Sequence, residues 1–112
     1  MTMSDTLSEF EQVVLLALFR SGEEAYVASL HEEILRRTGR NAAVPTIYVT
    51  LGRLKKKGFV TERHELSATS RGGQARKLFV LSDEGRAALV RTRNFLDRLW
   101  AGFELPTPDG SR

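Results

Sequence analysis

No cysteine occurs among the 112 residues. That excludes a disulfide framework, thiolate metal ligands and a thiol nucleophile. Proline appears only at Pro45, Pro106 and Pro108, so nearly the whole chain is free to form regular structure. Long hydrophobic runs are missing too. The longest, Val13 to Phe19, falls far short of the roughly 20 residues of a membrane span. The stretch before it holds Asp5, Glu9 and Glu11 but no Lys or Arg, the reverse of a secretory signal. His31 and His64 stand alone, without acids at ligand spacing, and no glycine-rich phosphate loop follows a strand. Nothing orders the Ser, His and Asp residues into a triad. The expectation is a cytoplasmic, non-enzymatic protein without membrane attachment, cofactor or metal.

What is present is unevenly spread. Residues 1–35 carry seven acids against Arg20, residues 36–77 carry eleven bases against Glu62 and Glu65, and residues 78–112 balance at five and five. The excess of nine positive charges therefore sits in one central block. A polyanion-binding face has this look, although solvated basic surfaces are common as well.

Local signals divide the chain. Ser8-Glu9-Phe10-Glu11 reads as a capping box opening a helix that closes near Ser21-Gly22. Its run from Val13 to Phe19 is apolar on nearly every side and calls for partners on more than one side. A second helix is expected over Val27 to Thr38, stopped by Gly39 as a left-handed cap. A third runs from Val44 to Lys57 with Pro45 in its first turn, and Gly58 ends it. Phe59 to Glu65 and Ala75 to Leu81 read as strands around a polar loop with Gly72-Gly73 at its tip. Ser82 caps a last helix reaching about Gly102. This order predicts a mainly α (α+β) chain: a winged helix-turn-helix with a two-stranded wing and a C-terminal dimerisation helix. The corresponding divisions are residues 1–81, residues 82–104 and a loose tail over 105–112, within one compact domain.

On a helical wheel of the third helix, Ile47, Leu51 and Leu54 form the core stripe. Pro45, Val49, Gly52, Arg53 and Lys56 lie opposite, flanked by Thr46, Thr50 and Lys57 on one side and Tyr48 and Lys55 on the other. An apolar back with an Arg/Lys/Thr front suits the major groove of double-stranded DNA. Thr46, Val49, Thr50 and Arg53 would lie nearest the base edges, with Tyr48, Lys56 and Lys57 toward phosphates. Gly52 has two readings, close approach of a phosphate strand or simple drift at a surface position. Arg71, Gly72, Gly73, Arg76 and Lys77 make a flexible basic finger at the wing.

In the last helix Leu89, Leu96 and Phe103 recur at seven, with Leu99 between them and Trp100 alongside. That seam exceeds what the domain's own core needs and predicts a homodimer, with Phe10 and Val14 of the first helix as a second contact. Packing back on its own domain is the alternative. Trp100, Phe95 and Phe103 could also line a cleft for a small aromatic effector, or serve as plain interface packing.

The Leu7-Ser8-Glu9-Phe10-Glu11 segment with its apolar run, Glu24-Ala25-Tyr26, and the stretch Ile47-Tyr48-Val49-Thr50-Leu51-Gly52-Arg53-Leu54-Lys55-Lys56-Lys57-Gly58-Phe59-Val60 resemble the PadR family of bacterial transcriptional regulators. Arg71-Gly72-Gly73 and Leu81-Ser82-Asp83-Glu84-Gly85-Arg86 resemble the wing and last-helix start of the same family. Val27, Pro45 and Gly52 depart from its pattern. The resemblance implies a homodimeric winged-helix repressor of a palindromic operator, joined through the C-terminal helix and in some members released by small molecules. A winged-helix module for protein–protein contact, its basic face meeting an acidic partner, is the competing reading, and a small-molecule sensor the third.

Overall fold

The computed structural model describes residues 6–66 and 75–106. Four helices and three short strands follow in the order α1 (Glu9–Arg20), β1 (Glu24–Ala25), α2 (Val27–Thr38), α3 (Val44–Lys56), β2 (Val60–Leu66), β3 (Ala75–Leu81) and α4 (Asp83–Trp100). This is a winged helix: three helices, a β-hairpin and a trailing helix.

Helix ends coincide with the capping chemistry. The Glu11 amide donates to the Ser8 hydroxyl at 3.2 Å, and the Ser8 amide donates back to the Glu11 carboxylate at 2.9 Å. Gly39 closes α2 at φ 75°, a left-handed position that glycine adopts without a Cβ clash. After α3 the Phe59 amide reaches back to the Leu54 carbonyl at 3.0 Å. The Ser82 hydroxyl accepts from the Gly85 amide to start α4.

The strand β1 has no counterpart in the sequence pattern. Its two residues pair antiparallel with β3, Glu24 facing Val80 and Ala25 facing Phe79, and give a sheet ordered β1-β3-β2. The turn before it places Glu23 at φ 72°, uncommon for a residue with a side chain. Three contacts hold it there: its amide to the Leu18 carbonyl, its carbonyl to the Leu81 amide, and its carboxylate to Arg86 at 2.5 Å. The strands β2 and β3 run in register from Val60↔Leu81 to Leu66↔Ala75.

One core joins these elements. Leu15 and Leu18 of α1, Leu30 and Ile34 of α2, Ile47, Leu51 and Leu54 of α3, and Val60, Phe79 and Leu81 of the sheet are all buried in it. Val14, expected at a subunit contact, belongs there as well. It is fully buried inside its own chain and offers nothing to a partner. The apolar run of α1 is covered on three sides by α2, α3 and the sheet, which leaves Leu16 and Phe19 exposed. The helix α4 ends at Trp100, two residues short of the expected limit. Its buried residues Gly85, Ala88 and Thr92 all lie within its first ten residues.

Candidate nucleic-acid interface

Three side chains pin α3. Ile47, Leu51 and Leu54 are fully buried, as the wheel requires. The outward face carries Val44, Pro45, Thr46, Tyr48, Val49, Gly52, Arg53, Lys55 and Lys56, all exposed, Val49 by 59%. Among the described residues neither Arg53 nor Lys56 has an ion-pair partner. Two cations on a helix face anchored from behind are thus available to an external anion.

Two expected members of this face are turned inward. Thr50 is buried, and its hydroxyl donates to the Thr46 carbonyl at 2.9 Å. The wheel placed it on a flank, but α1 and α2 both pack against α3 and widen the buried arc past the three-residue stripe. Lys57 points to α1, where its ammonium donates to both Glu11 carboxylate oxygens at 2.9 and 3.1 Å. It neutralises a carboxylate that is only 3% exposed, so it serves the fold rather than a phosphate. Burial pushes the Glu11 pKa up, yet the Ser8 amide and Lys57 outweigh it and hold the group below the usual glutamate value.

The wing stands beside α3. Tyr48 sets its ring edge-on to the buried Phe79 of β3, centroids 6.1 Å apart. The Lys77 ammonium donates to the Tyr48 hydroxyl and lies 4.9 Å from its ring centroid. That hydrogen bond holds the Lys77 pKa above the usual lysine value, so the group stays charged. Lys55 pairs with Glu62 of β2 at 3.3 Å. Between helix and wing runs a groove of about 490 Å³, lined by Tyr48, Gly52, Lys55, Lys56, Glu62 and Lys77 over the Phe79 ring.

A second cluster, not expected from the sequence pattern, grips the wing through Tyr26. The Tyr26 hydroxyl donates to the Glu65 carboxylate of β2 at 2.6 Å, and the Arg76 guanidinium lies 3.9 Å over the Tyr26 ring. Arg63 bridges Glu24 and Glu65 at 3.2 and 3.3 Å. These partners lie too far apart in the chain for any periodicity to link them. An isolated tyrosine directly before a helix was the only available signal. Arg71, Gly72 and Gly73 lie outside the described residues.

The apolar residues that α3 and the wing do not use gather elsewhere. Beyond Thr92 every described residue of α4 is exposed, including Phe95, Leu96, Leu99 and Trp100. Trp100 stacks on Phe103 with centroids 6.0 Å apart. Leu89 and Phe10 are half-buried against the core. Leu16 and Phe19 of α1 face Leu89, Val90, Leu96 and Trp100 of α4 across an open groove of about 530 Å³. Of the three aromatics expected to line a cleft, Trp100 does so within the single chain.

Residues 14–91 match the transcriptional regulator PadR-like family. The chain belongs to that family. It is accordingly a PadR-like winged-helix transcriptional regulator, and not an enzyme. Among solved structures, a PadR-like transcription factor from Bacteroides fragilis is 22% identical, with 80% of this chain and 82% of that one aligned and a TM-score of 0.69. A PadR family regulator from Eggerthella lenta is 25% identical, covering 84% and 81%, at a TM-score of 0.64. Bacillus subtilis PadR, solved in complex with operator DNA, is 20% identical at a TM-score of 0.63. There the match takes in 93% of this chain but 52% of that one. No curated protein sequence matches it. Among the described residues of this PadR-like chain, no helix is long and apolar enough to cross a membrane.

Proposed function

We propose that this PadR-like regulator represses transcription by binding a palindromic operator as a homodimer. The observation that carries the reading is the outward face of α3, where Val49, Arg53 and Lys56 project from a helix locked down by three fully buried residues, the two cations without an ion-pair partner among the described residues. Thr46, Val49 and Arg53 meet base edges in the major groove, while Tyr48, Lys56, Arg76 and Lys77 lie along phosphates. Arg71, Gly72 and Gly73, read from the sequence alone, extend this basic surface to flanking DNA. The complex of Bacillus subtilis PadR with operator DNA supports the assignment.

The dimer rests on the apolar surface left by α1 and α4. Leu99 is 65% exposed, and Leu96, Trp100 and Phe103 are exposed beside it. A second copy is the occupant that such a seam fits best. The groove of about 530 Å³ is of a size for a small aromatic effector that stacks on Trp100 and alters the pairing. Quenching of Trp100 fluorescence by planar aromatic compounds tests that part; an unresponsive signal across a varied panel removes it.

Selection of bound duplexes from a random pool tests the main reading. Binding of the selected duplex should exceed that of a scrambled one and fall steeply with salt. Arg53→Ala should cost about 1–3 kcal/mol on the selected duplex and relax the preference at one position in each half-site. A protein indifferent to every duplex refutes the reading and leaves the basic face to an acidic protein partner.

A further inference from the structure

Gly52 sits in the middle of α3 on its exposed face, where glycine weakens a helix relative to alanine. The fold does not require it. A Cβ built there meets nothing within 4 Å, and no positive φ is involved. The open space over Gly52 is therefore free for a molecule outside the chain. Around it the groove between α3 and the wing is lined by Lys55, Lys56, Lys77 and the Tyr48 hydroxyl, with Glu62 as its one carboxylate. Glu62 is already committed to Lys55 at 3.3 Å and to His64 at 3.1 Å. Lys77 is held in place by Tyr48, and Lys56 has no ion-pair partner among the described residues.

We infer that this groove seats the sugar–phosphate backbone of the bound DNA, with Gly52 as its floor. The missing Cβ lets the strand lie against the helix backbone, while Lys56 and Lys77 neutralise a phosphate from either side. The seat sets how deeply α3 enters the major groove. It adds a determinant of docking depth to the DNA-binding reading, and it rests on that reading.

Gly52→Ala separates the two demands on this position because it should move stability and binding in opposite directions. The free variant should melt at a higher temperature than the wild type, since alanine favours the helix and nothing obstructs its methyl. Its affinity for duplex DNA should drop by roughly tenfold. The loss should be equal on selected and scrambled duplexes, because a backbone contact carries no sequence information. Lys56→Ala should lose affinity on both duplexes in the same way without the gain in melting temperature. A Gly52→Ala protein that binds as tightly as wild type overturns the inference and leaves the DNA reading intact. A lower melting temperature overturns it as well, by making the glycine a need of the fold. A loss confined to the selected duplex points to a base-edge contact and overturns the backbone seat. A wild type that binds no duplex removes the DNA reading and the seat together.

Discussion

At the scale of single residues, Gly85 is the opposite case to Gly52. A Cβ there would stand 2.3 Å from the Phe59 carbonyl oxygen and 2.8 Å from the Leu81 side chain. That carbonyl already accepts from the Ser82 amide at 3.1 Å, and the Ser82 hydroxyl donates to the Gly58 carbonyl at 2.7 Å. The start of α4 thus lies directly on the turn that ends α3, and only glycine lets the two backbones meet. Gly85→Ala should destabilise the protein by about 1–3 kcal/mol in urea unfolding. Lys57 makes a second residue-scale case. Lys57→Ala strands a buried Glu11 carboxylate and should cost about 2 kcal/mol, since the Ser8 amide still partly satisfies it. The pH dependence follows from the lowered Glu11 pKa. A carboxyl depressed in the folded state contributes stability above its unfolded value of about 4.3. That contribution disappears as pH falls through the folded value. In Lys57→Ala burial acts with less opposition and brings the folded value back toward the unfolded one, so the loss of melting temperature on acidification should be smaller than in wild type.

Among the elements, α4 divides into a docked half and a projecting half. Leu99 and Trp100 take no part in the core of their own chain. Leu99→Glu should therefore leave helical circular dichroism and melting cooperativity intact while converting a micromolar dimer to monomer in sedimentation. A wild type that sediments as a monomer refutes the dimer. The elements also differ in how well the sequence announces them. The starts of α1 and α4 and the end of α2 were legible because Ser8, Ser82 and Gly39 carry caps whose chemistry is local. The β1 strand was not, since two residues have no period and Glu24 and Ala25 become a strand only by lying against Val80 and Phe79. For α3 the wheel found the core stripe but missed Thr50 and Lys57. Thr50 is covered because α1 and α2 both pack on α3, and Lys57 is drawn inward by Glu11 of α1, neither of which any periodicity within α3 records. The Tyr26 cluster was hidden for the same reason, because Glu65 and Arg76 arrive through the hairpin.

For the whole molecule, charge is segregated by function. Within the basic block Arg36, Arg37 and Arg40 pair with Glu33 and Glu9 outside it, most of the remaining bases lie on α3 and the wing, and the acids at Glu62 and Glu65 are both engaged by neighbouring side chains. Double-logarithmic plots of duplex affinity against salt should be steep, and Lys56→Ala or Lys77→Ala should each lower the slope by about one. An unchanged slope would remove that residue from the phosphate set. The segregation depends on a hairpin that keeps its angle to α3, and here the two-residue β1 matters beyond its length. At Phe79 and Val80 the central strand has neighbours on both edges, whereas from Arg76 to Leu78 it has β2 alone. The wing is therefore a cantilever built into the body at one end. Its root and its free end should differ in time rather than in average position. In deuterium exchange, peptides spanning Phe79 to Leu81 should take up label slowly, near the rate of global unfolding, while those around Arg76 fill early through opening motions of the outer hairpin.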